Sequence, residues 1–193
     1  MSLRTSSTPR GSLTRDRVLE AAIALVDRGG AQALTMRRLA SELNVEAMSL
    51  YNHVENKQDI LDGMAGLLIA RMRPWGDEVL TWKEALRTVC VTYRATITAH
   101  PHVFAGQGGR PLVTGEDHAA YQYLMTMLRD AGFDEPTAAD LFQAGSKLTR
   151  GFALSDIANP AGPIASTAWD PDRAFNRALT ILIDGFEATL ATP

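Results

Sequence analysis

Apolar residues recur every three to four positions along most of this chain, and each run with that spacing stops at a glycine or a proline. Val18, Ala22, Leu25 and Val26 form the first stripe, on a helix that Thr14 caps, Asp16 favours in its first turn and Gly29-Gly30 terminates. Leu13 stands where it staples that start onto Val18. A second helix is predicted from Thr35 to about Leu43, and a short third one follows Asn44, from about Glu46 to Asn52. Asn56 caps a fourth, with Asp59 as its returning carboxylate and Ile60, Leu61, Met64, Leu67 and Leu68 as its apolar side. Pro74 ends it.

The rest of the chain has the same periodicity. Trp82 to about His100 reads as one long helix closed by Pro101, and the glycine-rich stretch Gly106 to Gly115 as a loop or broken helix. Glu116 to Arg129 is predicted helical, with Tyr121, Leu124, Met125 and Leu128 inward and a stop near Gly132. Another long helix spans Glu135 to about Ile157, and Ala158 to Ala168 reads as a mobile linker. Asp170-Pro171 then starts a last helix with a broad apolar stripe of Phe175, Leu179, Leu182, Ile183, Phe186 and Leu190. No segment alternates with period two for long enough to propose a strand. The expected fold class is all-α, with a small helical head over residues 12–58 and a larger helical body over 59–193.

Composition narrows the class. The 193 residues are 46 % hydrophobic and 21 % charged, which suits a globular chain and argues against disorder. A single cysteine, Cys90, excludes an internal disulfide, and no apolar run is long enough to cross a bilayer, so a soluble cytoplasmic protein with no membrane partner is expected. The net charge of -3 looks wrong for a nucleic-acid binder, but residues 1–60 hold eight Lys/Arg against seven Asp/Glu while 61–193 hold eleven against fifteen. Bases on a near-neutral head can converge on one face.

Residues 35–52 have the spacing of a helix-turn-helix. Leu39, Ala40, Leu43, Val45 and Leu50 supply its internal contacts, and Asn44 suits the left-handed backbone of the turn. The run Leu34-Thr35-Met36-Arg37-Arg38-Leu39-Ala40-Ser41-Glu42-Leu43-Asn44-Val45 continues into Glu46-Ala47-Met48-Ser49-Leu50-Tyr51-Asn52-His53-Val54-Glu55-Asn56-Lys57. It strongly resembles the head of the tetracycline-repressor (TetR) family, most sharply at Leu50-Tyr51-x-His53-Val54-x-Asn56-Lys57. Asn52 and Val54 depart from the Tyr/Trp and Phe common at those places. The likeness is firm over 13–62 and looser over Trp82–Pro101 and Leu124–Gly151.

That resemblance implies roles. Arg37 would reach a base and Ala47, Met48 and Ser49 would supply shape and methyl contacts in the major groove, with Asn52 altering base or phosphate contacts. Tyr51, His53 and Lys57 would grip phosphates, with Thr35 assisting. Two copies would read a palindromic double-stranded DNA operator as a homodimer, its half-sites a turn or a multiple of about 34 Å apart. The dimer face is expected on Phe142, Gly145, Leu148 and Phe152 of one helix and Phe175, Leu179, Leu182 and Phe186 of the last. A small apolar effector is expected among Met64, Leu68, Val89, Tyr93, His100, Phe104, Gln107, Met125 and Phe142. The tetracycline repressors' own drug and metal ligands are not kept: their first histidine falls at Arg73, their asparagine at Val89, and their metal-contacting histidine near Gly106 or Gln107. Only their phenylalanine survives as an aromatic, Tyr93. No metal site and no cofactor are expected.

Other classes fare worse. No metal spacing, nucleophile elbow or phosphate loop gathers the His, Asp and Ser residues, and the glycines at 106–109 lack a following Lys-Ser/Thr, so no enzyme is expected. A helical protein-binding module and a DNA-binding regulator of this fold without an effector remain the competing readings.

Overall fold

The computed structural model describes residues 12–72, 80–105, 119–160 and 168–190, the side chains of Ala119 and Ala120 excepted. All regular elements there are helical. The expectations for Gln107, for the glycine-rich stretch and for most of the linker lie outside the described residues. The chain divides into two compact units after Met64.

In the first unit, α1 (Arg15–Gly29) starts where Thr14 Oγ1 accepts the Arg17 amide at 3.3 Å. It stops at Gly30, whose φ of 73° an L side chain would resist. A 3-10 turn (Ala31–Ala33) leads to α2 (Met36–Leu43), α3 (Ala47–Leu50) and the start of α4 (Lys57–Ala70). Val18, Ala22, Val26, Leu34, Leu39, Ala40, Leu50, Val54 and Ile60 are its buried core. Leu19, Ile23, Leu25, Ala33 and Met64 are buried with them.

In the second unit, α5 (Trp82–Ala99) opens with a capping box that the sequence carries at Thr81 and Glu84: the Thr81 amide donates to Glu84 Oε2 at 2.8 Å and the Glu84 amide to Thr81 Oγ1 at 3.3 Å. Pro101 ends α5 and also begins a short α6 (Pro101–Ala105). Next come α7 (Ala119–Asp130), α8 (Glu135–Ala158) and α9 (Pro171–Leu190). Asp170 caps α9, accepting the Arg173 amide at 2.9 Å.

α5 packs most extensively against α8. Gly145 allows it, since a Cβ there would stand 3.3 Å from Cys90 Sγ and 3.4 Å from Leu86 Cδ1. The buried Thr149 hydroxyl donates to the Gly145 carbonyl at 2.7 Å, which removes the cost of burying it. Around this seam Leu86, Cys90, Leu124, Leu128, Leu141, Phe175, Leu179 and Ile183 form one core. Burial pushes the Cys90 thiol up to about 11, so it is an inert apolar filler. Arg94 closes the bottom of the seam, bonding Asp156 at 2.8 Å and Asp172 at 2.5 Å and stacking over Phe175.

This core changes the expected dimer face. Phe175, Leu179 and Gly145 are buried inside the single chain, and Phe142, Leu148, Phe152, Leu182 and Phe186 pack against the same cluster. Phe142 meets Tyr121 edge-on at 4.9 Å and Phe152 meets Phe175 at 5.7 Å. Of the expected face, Phe175, Leu179 and Gly145 are thus committed to the protomer's own interior, while Phe142, Leu148, Phe152, Leu182 and Phe186 stay half-buried and Leu190 is exposed. The outward side of α9 holds Ala174, Ala178 and Ile181, with Trp169 beside its start. Ile181 is 65 % exposed and Trp169 37 %.

Gly145→Val should overpack the α5–α8 seam and destabilise the protein by about 1–3 kcal/mol in urea unfolding; an unchanged midpoint would contradict this packing.

Candidate nucleic-acid interface

The reading elements are short and locally determined. Thr35 caps α2, its Oγ1 accepting the Arg38 amide at 3.2 Å. Asn44 sits in the left-handed region at φ 53°, and the Val45 amide reaches back to the Ala40 carbonyl at 3.0 Å. This turns the chain sharply into α3. α3 spans only Ala47–Leu50 rather than Glu46 to Asn52. Beyond it the backbone tightens, with the Tyr51 amide on the Met48 carbonyl at 3.2 Å and the His53 amide on the Leu50 carbonyl at 2.9 Å. Buried Val54 draws the chain inward and ends the helix early.

The turn leaves an unusual surface. Met48 is 75 % exposed and Tyr51 48 %, both large side chains that burial would otherwise favour. Arg37, Asn52, Lys57 and the cap Thr35 are exposed, and Ala47, Ser49 and His53 are half-buried around them. The DNA-binding set expected from the sequence is therefore accessible throughout.

The head's cations fall into two groups. Arg15 pairs with Asp59 and Arg28 with Glu42, at 2.5 and 2.9 Å. Arg37, Arg38 and Lys57 form no ion pair among the described residues. Lys57 begins α4, where the helix dipole disfavours a cation unless an external anion joins it. Sequence spacing missed the Arg15–Asp59 pair, because its members lie 44 residues apart and no local rule links them. Asp59 also caps the residue before the expected one: it accepts from the Glu55 amide at 2.9 Å, while Asn56 Oδ1 accepts the Asp59 amide at 3.0 Å.

The expected effector residues separate into two neighbourhoods and two units. Met64 belongs to the first unit and is buried; Leu68 is half-buried in the second. Val89, Tyr93 and Phe104 are buried, with the Tyr93 and Phe104 rings edge-on at 6.2 Å, and His100 caps the end of α5. Met125 and Phe142 belong instead to the core that holds Phe175. Among the described residues the buried Tyr93 hydroxyl has no hydrogen-bond partner, and burial pushes its pKa up to about 12. Among the described residues no three His, Cys, Asp or Glu side chains gather as a metal site would need, and no helix is long and apolar enough to cross a membrane.

A compact helical head that offers an exposed one-turn helix between uncommitted cations is a helix-turn-helix DNA-binding module, set here before an all-helical second unit. Residues 18–64 match the description "Bacterial regulatory proteins, tetR family". An HTH-type transcriptional regulator of Saccharopolyspora erythraea is 31 % identical over 137 residues, covering 71 % of this chain and 57 % of the relative. The chain spans about half the length of the curated relatives it matches at this identity. A TetR variant of Acinetobacter baumannii AYE, solved with minocycline, superposes with a TM-score of 0.80 at 27 % identity, covering 94 % of this chain and 100 % of that one. ActR of Streptomyces coelicolor, a TetR family protein solved with actinorhodin, gives a TM-score of 0.79 at 27 % identity over 94 % of this chain and 100 % of that one. The chain belongs to the TetR family of transcriptional regulators.

The Arg15 hydrogen bonds hold the Asp59 carboxylate below its ordinary pKa of 3.8. Stability from this pair is therefore present above that value and lost as pH falls through the lowered one. In acid unfolding, Asp59→Asn should be less stable than the parent at neutral pH, and the two should converge at acid pH; a gap that persists there would contradict the pairing.

Proposed function

We propose that this chain is a homodimeric, sequence-specific regulator that reads a palindromic double-stranded operator and represses until a small, largely apolar effector relaxes its grip. The observation that carries the reading is the exposure of Met48 and Tyr51 on and just beyond a one-turn helix flanked in sequence by Arg37 and Lys57, which form no ion pair among the described residues. Seated in the major groove, Met48, Ala47 and Ser49 would read shape and thymine methyl groups, and Arg37 a base edge. Tyr51, His53 and Lys57, with Thr35 and Asn52 beside them, would hold the phosphates that set register. α3 reaches only a few base pairs, so a pair of chains is the natural reader. The outward side of α9, with Ile181, Ala178, Ala174 and Trp169, supports a second copy docking there, alongside the half-buried Leu148, Phe152, Leu182 and Phe186.

The effector reading rests on Tyr93, Val89 and Phe104. A buried phenol without a partner costs about 1–3 kcal/mol, and an oxygen acceptor on a bound molecule would recover it. The two structural neighbours were solved with minocycline and with actinorhodin, which supports a small organic molecule of some size. Such a molecule acts by preferring one of two states of the chain, with α4 linking the units.

Two measurements test this. Arg37→Ala should relax sequence preference, losing about 1–3 kcal/mol of discrimination, whereas Lys57→Ala should weaken all duplexes alike and lower the salt slope by about 1. Equal loss of selectivity from both would refute that division. Tyr93→Phe should stabilise the ligand-free protein by about 1–3 kcal/mol, leave operator affinity unchanged, and shrink the thermal shift given by oxygen-bearing polycyclic aromatics; a destabilised ligand-free variant would show the hydroxyl already satisfied.

A further inference from the structure

We infer that Arg15 is a positioning residue for DNA binding: it touches no phosphate itself but fixes the turn 51–57 that does. The inference rests on the phosphate-gripping role proposed for that turn. The Arg15 guanidinium is a fork with two prongs in use. Nη1 donates both to the His53 carbonyl at 3.0 Å and to Asp59 Oδ2 at 2.9 Å, and Nη2 donates to Asp59 Oδ1 at 2.5 Å. Asp59 in turn accepts from the Glu55 amide. One cation thus holds the backbone at His53, the backbone at Glu55 and the first turn of α4 from the first residue of α1.

The three residues proposed to grip phosphate, Tyr51, His53 and Lys57, lie within or beside that span. Neither Tyr51 nor Asn52 is buried, so core packing restrains the turn only at Leu50 and Val54. α4 approaches α1 closely at the same end, since a Cβ on Gly63 would stand 2.8 Å from Leu19 Cδ2 and 3.2 Å from Arg15 Nη2. A fork of this geometry, rather than a point charge, is what a carboxylate and a carbonyl together require.

The sign of one substitution separates the two roles open to Arg15. If Arg15 met phosphate, Asp59 would compete with DNA for it, and Asp59→Asn would raise affinity. If Arg15 positions the turn, Asp59→Asn lowers it. The experiment measures operator affinity against salt for Arg15→Met, Asp59→Asn, the double variant and Lys57→Ala, each corrected for its active fraction and held well below its melting temperature.

Arg15→Met and Asp59→Asn should each lower operator affinity by about tenfold with the salt slope unchanged, and the double variant should be no worse than either alone. Arg15→Lys should restore only part of the loss, because an ammonium replaces the fork. A rise in affinity for Asp59→Asn, or a slope lowered by Arg15→Met, would overturn the inference, as would melting temperatures that fall while the affinity of the folded fraction stays put. Lys57→Ala reports separately on the turn: a lowered slope there supports its grip on phosphate, and an unaltered one faults that reading rather than the fork.

Discussion

A helix of one turn has almost no stability of its own, because nucleation costs more than its few hydrogen bonds return. α3 is such a helix, four residues long. It exists because Leu50 is fully buried against the head's core and because Asn44 and the Val45–Ala40 hydrogen bond fix the angle at which it leaves α2. With Leu50 and Val54 turned inward, Met48 and Tyr51 must turn outward. The same few buried residues that make α3 a helix therefore decide what it offers to solvent, and presentation and stability are one problem.

Charge follows the same economy. Two of the head's acidic residues are used locally, Asp59 on Arg15 and Glu42 on Arg28, away from the exposed turn's own cations. What remains uncommitted among the described residues, Arg37, Arg38 and Lys57, brackets the exposed turn. In the second unit the large aromatics and leucines of α8 and α9 fill one intrachain core, and Arg94 ties α5, α8 and α9 at its edge. The outward side of α9 carries Ala174, Ala178 and Ile181 between the exposed Arg173 and Arg177. Small side chains let two helices approach closely.

Local rules made much of this legible beforehand. The caps at Thr14, Asn56 and Asp170, the stop at Gly30 and the left-handed Asn44 were readable because each is decided within four or five residues. The capping box at Thr81 and Glu84 was equally local and went unread. Two features were not available to such rules. α9 is apolar over so wide an arc that periodicity leaves open which side meets its own core, and Phe175 and Leu179, expected at the dimer face, are buried within the chain. Arg15 and Asp59 come together only through the crossing of α1 and α4, which no spacing encodes. Among the expected effector residues, Met125 and Phe142 look as suited to a cavity as Tyr93 does, and only packing separates the first two, beside Phe175, from Tyr93 and Phe104.

The central claim is that two such heads, held as a pair, fall into successive grooves of one duplex. Selection of bound duplexes from a random library tests it most directly. The account predicts enrichment of inverted repeats whose half-site centres lie about one helical turn, or a multiple of it, apart. Enrichment of a single unrepeated motif, or none above random sequence, would contradict it.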